Sequence, residues 1–341
     1  MLEVLGMKLT DLEYHYPEHL IATQPSRPTR VMWVEKDQEP QEINLQNVIE
    51  RIPAGDVVVI NNTKVLKRRV FAEDEIEILF LDCLEKKLES NIWKVLFPSK
   101  KFALNKVLNL PQGFQVKLIE KGRPQIVEVT PAITESDFEK IAELPLPPYI
   151  QKARHERHNV TEDESWYQTA WAIKPGSMAA PTASLHFADK DMQSLRDKGV
   201  QVLEVTLHVG LGTFLPVTVD DLDQHEMHSE IYEISQEHWQ KVLDAKKQGY
   251  RIWSLGTTST RVLESVARTG LLSGSTDILL QVGSEFKIVD CLMTNFHQPA
   301  STLLALVAGF SSLSRVKQCY QWAIKKNFKL FSYGDFSVWL K

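Results

Sequence analysis

Cysteine, long apolar runs and a leading signal segment are all scarce or missing in this sequence. Its 341 residues contain only Cys83, Cys291 and Cys319, and no CxxC pair, which fits reduced thiols rather than a disulfide framework or a zinc site. The run "TLLALVAGF" at 302–310 is too short for a bilayer, which needs roughly 20 residues. The N-terminus has no apolar segment typical of secretion signals. We therefore expect a cytoplasmic protein without a membrane partner.

The chain also lacks an excess of positive charge and the short nucleotide-binding motifs. Its net charge of −5 argues against nucleic-acid binding over the whole surface. The segment "HVGLGTF" at 208–214 is glycine-rich but has neither the GxGxxG spacing nor a Walker lysine. An apolar content of 43% is enough for a core. The length predicts two domains, or one large domain with an insertion.

Residues 70–148 read as short alternating strands separated by tight turns, an arrangement typical of an antiparallel β domain. The strand-like runs are "EIEILFLD" (75–82), "NIWKVLF" (91–97), "KVLNL" (106–110), "FQVKLIE" (114–120) and "QIVEVT" (125–130). We therefore predict that residues 70–148 form a β domain inserted into a second domain made of residues 1–69 and 149–341.

The C-terminal half instead alternates strands with helices, which predicts a mostly parallel α/β layer. An open sheet and a barrel variant both fit this alternation. The predicted order is helix 188–199, strand 200–209, helix 235–249, strand 250–255, loop 256–260, helix 261–269, strand 286–293, loop 294–301 and helix 302–310.

Three polar loops fall at predicted strand-to-helix connections. They are "KPGSMAAPTASLHF" (174–187), "GTTST" (256–260) and "TNFHQPAS" (294–301). In parallel α/β folds these connections line the carboxyl edge of the sheet, where ligands bind. Free N–H groups at the helix N-termini there favour a carboxylate or phosphate. Ordinary helix caps are the alternative. The candidate hydroxyl donors are Ser177, Thr182, Thr257, Thr258, Ser259 and Ser301.

Histidine is the second signal, because five of the ten histidines lie at or near these edges. They are His186, His208, His225, His228 and His297. Histidines that converge are suited to proton transfer near neutral pH or to metal binding. A metal site would use His225, His228 and Glu230, but their spacing matches no specific metal signature.

Basic residues cluster on both sides of the predicted insertion, at 64–69 and 151–158. Two such runs can together form a track for a phosphate backbone, and a solvated surface is the alternative. The candidate residues are Lys64, Lys67, Arg68, Arg69, Arg154 and Arg157.

Several long segments, in order, resemble one enzyme family. They are "PGSMAAPTASLHF", "TLHVGLGTFLPV", "HEMHSEIYEI", "GTTSTRVLES", "DCLMTNFHQPASTLL" and "FSYGD". Together they resemble the S-adenosylmethionine:tRNA ribosyltransferase-isomerases of queuosine biosynthesis. The resemblance implies a barrel-like parallel α/β catalytic domain with an inserted antiparallel β domain. It also implies ribosyl transfer from S-adenosylmethionine to 7-aminomethyl-7-deazaguanine in tRNA, releasing adenine and methionine.

The resemblance implies roles for particular residues. The expected catalytic residues are His186, His208, His228 and Glu230. The expected substrate-binding residues are Ser177, Thr182, Gly210, Gly212, Thr213, His225, Thr257, Thr258, Ser259, Arg261, Asn295, His297, Tyr333 and Asp335. S-adenosylmethionine serves as co-substrate, so no metal or separate cofactor is expected, and we expect a monomer that binds tRNA.

The chain departs from the family pattern at four positions: Asn62, Lys64, Ser184 and Gln298. Asn62 removes a carboxylate, and Lys64 lacks the planar fork of an arginine. These departures leave open a tRNA-binding relative without turnover. A metal-dependent hydrolase built on the histidines is a third hypothesis.

Overall fold

A computed structural model describes residues 7–215 and 217–341, apart from the side chains of Thr213 and Phe214. The chain divides into two compact units. The first unit comprises Met1–Lys64, Pro147–Glu156 and Ser165–Lys341, and the second comprises Val65–Leu146 and Arg157–Glu164. The predicted domains, residues 70–148 inserted between 1–69 and 149–341, remain a prediction about which segments fold independently.

Strands and helices alternate through the first unit, whereas strands dominate the second. The strands are β1 Arg30–Val34, β2 Gln41–Asn44, β3 Val57–Asn61, β4 Thr63–Val65, β5 Arg69–Ala72, β6 Ile76–Lys86, β7 Asn91–Leu96, β8 Val107–Asn109, β9 Gln115–Glu120, β10 Gln125–Thr130, β11 Lys174–Ser177, β12 Gln201–Leu207, β13 Glu230–Ile234, β14 Ile252–Leu255, β15 Ser273–Thr276, β16 Cys291–Asn295 and β17 Phe336–Leu340.

The α-helices are α1 Leu45–Arg51, α2 Glu135–Ile141, α3 Pro148–Arg154, α4 Asp163–Trp166, α5 Asp189–Asp197, α6 Gln236–Lys247, α7 Thr257–Thr269, α8 Thr302–Phe310 and α9 Leu313–Lys325. Short 3₁₀ turns span Leu9–Leu12, Glu18–Leu20, Glu73–Glu75, Ser99–Lys101, Pro111–Gly113, Thr182–His186, Leu211–Phe214 and Leu222–Gln224. Among the described residues, no helix is long and apolar enough to cross a membrane.

The main sheet of the first unit contains nine described strands in the order β15-β13-β12-β3-β14-β16-β17-β1-β2. Its four middle strands, β12, β3, β14 and β16, are parallel. Their apolar runs are largely buried because helices and turns cover both faces. The sheet as a whole is mixed, since β13 and β17 run antiparallel to their neighbours β12 and β16.

The second unit contains a six-stranded antiparallel sheet in the order β5-β6-β7-β10-β9-β8. Asn109 at the end of β8 donates a hydrogen bond of 2.7 Å to Glu73, directly after β5. The two edges of the sheet therefore approach each other, and the sheet is a nearly closed barrel. The α/β fold class with an antiparallel β insertion is confirmed.

Two predicted connections differ in detail from the structure. The "GTTST" residues are not a loop, because α7 begins at Thr257 and these hydroxyl residues form its first turn. The segment 174–187 begins with β11, which pairs with β4 in a separate two-stranded sheet. Its 3₁₀ turn packs on the main sheet, where Ala183 and Phe187 join Trp253 and Met293 in one core cluster.

Candidate active site

The carboxyl ends of β12, β3 and β14 meet at one edge of the main sheet, and Asn61 joins them. The Asn61 side-chain Nδ2 donates to the Leu207 carbonyl at 3.0 Å and to Thr258 Oγ1 at 3.1 Å. Its Oδ1 accepts the backbone N–H groups of Thr63 and Leu207, both at 3.1 Å. Sequence reasoning missed Asn61, although a polar residue ending the buried run "VVVIN" was a signal.

A buried ion pair lies at this edge, between Glu230 at the start of β13 and Arg261 in α7. Both residues are 7% exposed. Glu230 Oε2 accepts from Arg261, and Glu230 Oε1 accepts the Gly210 N–H at 2.9 Å. Within the described chain, the buried Arg261 Nε has no hydrogen-bond partner. Burying two charges is costly, so such a pair is weak evidence for stabilisation, and its place at this edge makes it a candidate functional feature.

His208 directly follows β12 and is held by the segment that contains Gly176. Its Nδ1 lies 2.7 Å from Thr63 Oγ1. Burial lowers the pKa of His208, while Glu233 opposes this shift and Lys174 adds to it. A Cβ built on Gly176 would lie 2.9 Å from His208 ring atoms. Only glycine therefore lets this segment approach the imidazole so closely.

Ser177 ties the same segment to the glycine-rich loop. Its hydroxyl donates to the Ala179 carbonyl at 2.7 Å and accepts the Val209 N–H at 3.0 Å. The Met178 N–H donates to the Val209 carbonyl at 2.8 Å. Because Ser177 is fully buried and already bonded, the structure uses it to position the loop.

Gly176→Ala is expected to lower kcat/KM at least tenfold, because the methyl group would displace the His208 ring from Thr63. Gly274→Ala is the matched control. The two glycines have φ angles of +151° and +153°, but nothing lies within 4 Å of a Cβ at Gly274. Both variants place an alanine at nearly the same φ angle, so the difference between their kcat/KM values reports the effect on the His208 ring. Equal kcat/KM values in the two variants would show that the position of the His208 ring does not affect the reaction.

The "HEMHSE" segment meets the glycine-rich loop at the same edge. A Cβ on Gly212 would lie 3.1 Å from His228 side-chain atoms, so the exposed His228 lies over the loop. Burial and the neighbouring His228 lower the pKa of His225. The side chain of Thr213 lies outside the described residues.

The first turn of α7 offers backbone donors more than hydroxyl groups. Ser259 Oγ donates back to the Leu255 carbonyl at 3.0 Å, and Thr258 Oγ1 accepts from Asn61. Thr257 is buried at the start of the helix. The helix follows Gly256, whose φ is +91° and where a Cβ would lie 3.6 Å from that of Ala183. The turn that contains Thr182 and His186 therefore lies beside this helix N-terminus.

His186 lies in a separate, buried hydrogen-bond cluster. Asn295 Nδ2 lies 3.0 Å from His186 Nε2, and Thr29 Oγ1 lies 3.4 Å from its Nδ1. Burial lowers the pKa of His186 to about 3, with a further contribution from Arg27 and opposition from Asn295. The ring is neutral at physiological pH. Asn295 also donates to the Phe331 carbonyl at 2.9 Å, so it links the histidine to the chain before β17.

Asp335 and Tyr333 occupy the same C-terminal segment. Asp335 accepts hydrogen bonds from Ser26 Oγ at 2.9 Å and from the Lys329 N–H at 2.7 Å. Burial raises the pKa of Asp335, although these hydrogen bonds oppose the shift. The buried Tyr333 ring contacts Trp166 edge-on, with centroids 6.2 Å apart. Both side chains have structural partners, and their substrate-binding roles stay a prediction.

His297 is buried apart from the ion pair. Its Nε2 lies 3.0 Å from Thr294 Oγ1, and its backbone carbonyl accepts from Tyr14 at 2.5 Å. Burial lowers the pKa of His297 to about 3. Ser301, four residues later, caps α8 by accepting the Leu304 N–H at 3.2 Å.

The first basic run is engaged inside the second unit. Arg68 pairs with Glu135 at 2.7 Å, and Arg69 pairs with Glu143 at 2.6 Å. Arg68 and Arg69 are only 4% and 1% exposed, which leaves them little surface for a phosphate backbone. Lys67 is also paired, with Glu164 at 2.5 Å.

The other basic candidates are more accessible. Lys64 is exposed on β4. Arg154 donates through Nε to the Thr23 carbonyl at 2.9 Å. Arg157 is exposed, and its guanidinium lies 5.4 Å from the centre of the Phe71 ring.

The structure shows the surroundings of two departures from the family pattern, Asn62 and Ser184. Asn62 Nδ2 donates to Glu204 at 2.9 Å, and Asn62 Oδ1 accepts from Thr206 at 2.7 Å. An amide satisfies both neighbours, whereas a carboxylate would face Glu204. Ser184 Oγ is buried and has no partner in the described chain.

In residues 7–215 and 217–341, no group of three or more His, Cys, Asp or Glu side chains is arranged to hold a metal ion.

Comparisons with known proteins agree with one another. A family model described as "Queuosine biosynthesis protein" matches residues 9–338. The S-adenosylmethionine:tRNA ribosyltransferase-isomerase of Sulfurihydrogenibium sp. is 38% identical over 96% of this chain and 98% of its own length. The enzyme of that name from Staphylococcus epidermidis is also 38% identical, with the same coverage. A crystal structure of S-adenosylmethionine tRNA ribosyltransferase from Thermotoga maritima is 30% identical, covers 97% of this chain and 100% of its own, and superposes with a TM-score of 0.55. The chain therefore belongs to the queuosine biosynthesis protein family.

Proposed function

We propose that this protein is an S-adenosylmethionine:tRNA ribosyltransferase-isomerase. It transfers and isomerises the ribosyl moiety of S-adenosylmethionine onto 7-aminomethyl-7-deazaguanine at the tRNA wobble position. The products are epoxyqueuosine-tRNA, adenine and methionine. Family membership over residues 9–338 supports the reaction class. The identity of the accepting base, a monomeric state, a cytoplasmic location and the lack of a separate cofactor belong to this proposal.

The observation that carries the proposal is the buried group formed by Glu230, Arg261 and Gly210. A guanidinium beside a helix N-terminus attracts a carboxylate, and the methionine part of S-adenosylmethionine carries one. The unpartnered Arg261 Nε is a donor that this carboxylate satisfies. Both Glu230 oxygens are already engaged, so we assign Glu230 to holding Arg261 and the loop.

Proton transfer falls to the histidines beside the glycine-rich loop. The sulfonium makes the neighbouring C5′ protons acidic, and a positioned base must remove one of them. His208 and His228 flank Gly210 and Gly212 and are only half-buried and exposed, respectively. The buried His186, with its pKa of about 3, is a weak base, so we place it in the scaffold behind the site.

The direct test incubates purified protein with S-adenosylmethionine and tRNA that carries the aminomethyl-deazaguanine base. Release of adenine and methionine, followed by mass spectrometry, must require the modified tRNA. Binding of tRNA without release would identify a relative that lacks turnover. Stoichiometric zinc or iron in elemental analysis, with neither binding nor release, would favour a metal-dependent hydrolase.

The surface for tRNA lies at one end of the six-stranded sheet of the second unit. The Gln125 side chain donates to Ser99 Oγ at 2.9 Å and accepts the Phe97 N–H at 3.2 Å, so residues 99–101 lie beside the turn before β10. The Leu118 N–H donates to the Lys106 carbonyl at 3.0 Å, which brings a third segment to this end. The basic end consists of the exposed residues Lys100, Lys101, Lys106, Lys121 and Arg123.

The charge of the basic end is largely uncompensated. None of its five side chains makes an ion pair within the described residues. Residues 94–123 include seven basic residues and one acidic residue, Glu120. Unpaired cations on several converging segments are suited to phosphate contacts. They replace Arg68 and Arg69, whose charges Glu135 and Glu143 already neutralise.

Substituting Lys100 and Lys101 by alanine is expected to weaken tRNA binding at low salt. Because each phosphate contact releases roughly 0.7–0.9 counterions, the slope of log K against log salt should fall by up to about 2. The matched control is Lys86→Ala with Lys87→Ala, two exposed lysines at the opposite end of β7. Filter binding at several salt concentrations measures both slopes. Equal slopes in the two double variants would show that the basic end does not bind tRNA.

A further inference from the structure

A cleft in the first unit is not used by the site described above. Its volume is about 260 Å³, and its lining includes Gln24, Arg27, Trp166, Gln168 and Leu185. Pockets for drug-sized ligands are typically about 300–1,000 Å³. The cleft therefore fits a fragment of a substrate better than a whole S-adenosylmethionine molecule.

Two groups that line the cleft are fixed before any ligand arrives. Arg27 donates to the Leu185 carbonyl at 2.7 Å, to Thr29 Oγ1 at 2.8 Å and to the Ser26 carbonyl at 3.4 Å. These bonds use three of its five N–H groups and leave two as donors. Trp166 is half-buried and packs at 82° against the buried Tyr333 ring. A fixed aromatic ring beside fixed hydrogen-bond donors suits a flat, polar heterocycle.

We propose that this cleft binds a purine-type base, stacked on Trp166 and hydrogen-bonded by Arg27 and the glutamine side chains. This inference rests on the proposed function, in which both substrates carry such a base. Enzymes that act on a nucleic-acid base hold it outside the stack, against aromatic side chains and hydrogen-bonding groups. The cleft has the size and the chemistry for one base.

The 3₁₀ turn Thr182–His186 borders both the cleft and the N-terminus of α7. Leu185 lines the cleft, while Ala183 lies beside Gly256 at the N-terminus of α7. Two residues of a 3₁₀ turn rise only about 4 Å. The cleft and the N-terminus of α7, the helix that carries Arg261, are therefore neighbours. The adenine of S-adenosylmethionine and the 7-deazaguanine of tRNA share the required chemistry.

The test measures binding without turnover. Isothermal titration with S-adenosylmethionine, and separately with 7-aminomethyl-7-deazaguanine, uses the wild type, Trp166→Leu and Trp166→Phe. Loss of stacking in Trp166→Leu should raise the Kd of one probe tenfold or more. Trp166→Phe should restore most of that affinity. Trp322→Leu, at a half-buried tryptophan on α9, is the control.

Each result has a defined meaning. A selective change for S-adenosylmethionine assigns the cleft to adenine, and a selective change for the deazaguanine probe assigns it to the tRNA base. Equal Kd values in Trp166→Leu and Trp322→Leu for both probes, or no binding of either probe by the wild type, would overturn the proposal. Turnover of the wild type tests the proposed reaction independently. If the protein binds a probe through Trp166 but has no turnover, the cleft proposal stands and the proposed reaction is wrong.

Discussion

Glu230→Gln is expected to lower kcat/KM by roughly 10²-fold or more. The substitution removes the charge that orients Arg261 and changes the group that accepts the Gly210 N–H. Truncating one partner of a buried, hydrogen-bonded charge pair at a binding site typically costs about 2–5 kcal/mol, and about 2.7 kcal/mol corresponds to 10²-fold in rate. The measurement is steady-state adenine release under saturating tRNA, with S-adenosylmethionine varied. We expect both a higher KM for S-adenosylmethionine and a lower kcat, because Arg261 loses its position.

A loss of stability must be separated from this effect. An uncompensated buried charge destabilises a protein by roughly 3–5 kcal/mol, and Arg261 would become one. Glu230→Met combined with Arg261→Met removes both charges. It should recover thermal stability, because apolar replacements of buried pairs are often neutral or stabilising, yet remain inactive.

Glu264 supplies the matched control on the same helix. It is fully buried, pairs with Arg268 at 2.7 Å and accepts the Ile288 N–H at 2.9 Å. Ile288 precedes β16, so these contacts lie at the opposite edge of the sheet. Glu264→Gln should lose stability but keep its activity per folded molecule. If Glu264→Gln and Glu230→Gln lost activity equally, the role of Glu230 would be structural.

Periodicity was enough to predict the parallel strands whose carboxyl edge carries the candidate site. The alternation of strands and helices predicted parallel strands, and β12, β3, β14 and β16 are parallel. The segments "HVGLG", "HEMHSE" and "GTTSTR" consequently meet at one edge. Their individual contacts were not predictable, because Gly176 meets His208 and Asn61 meets Thr258 across long sequence separations. No local pattern encodes such a pairing.

The burial of individual charged and titratable side chains was also not predictable from the sequence. Arg68 and Arg69 belong to a run of charge that is typical of an exposed surface, but tertiary contacts with Glu135 and Glu143 bury them. His186 and His297 likewise have side chains that ordinarily titrate near neutral pH, yet burial lowers both pKa values to about 3. The basic end was missed because its five residues come from separate segments, each too short to count as a charge run.

Acidification from pH 7 to pH 5 is expected to destabilise the first unit by roughly 4 kcal/mol through His186 and His297. Their pKa values are about 3 in the folded chain, against about 6.5 when unfolded. Below pH 6.5 the unfolded chain binds a proton at each histidine and the folded chain does not. The free energy of unfolding therefore decreases as the pH is lowered. The loss is about 1.4 kcal/mol per pH unit for each histidine, and it continues until the pH approaches 3.

The check is the midpoint of urea unfolding, followed by tryptophan fluorescence at intervals between pH 7.5 and pH 5. His297→Gln, which can keep a hydrogen bond to Thr294, should remove about half of the pH dependence that His186 and His297 contribute, because one of their two proton uptakes is gone. Asp335 contributes in the opposite direction, since burial raises its pKa and protonation at low pH relieves that cost. An unchanged pH dependence in His297→Gln would show that folding does not lower the pKa of this histidine, and it would contradict the prediction.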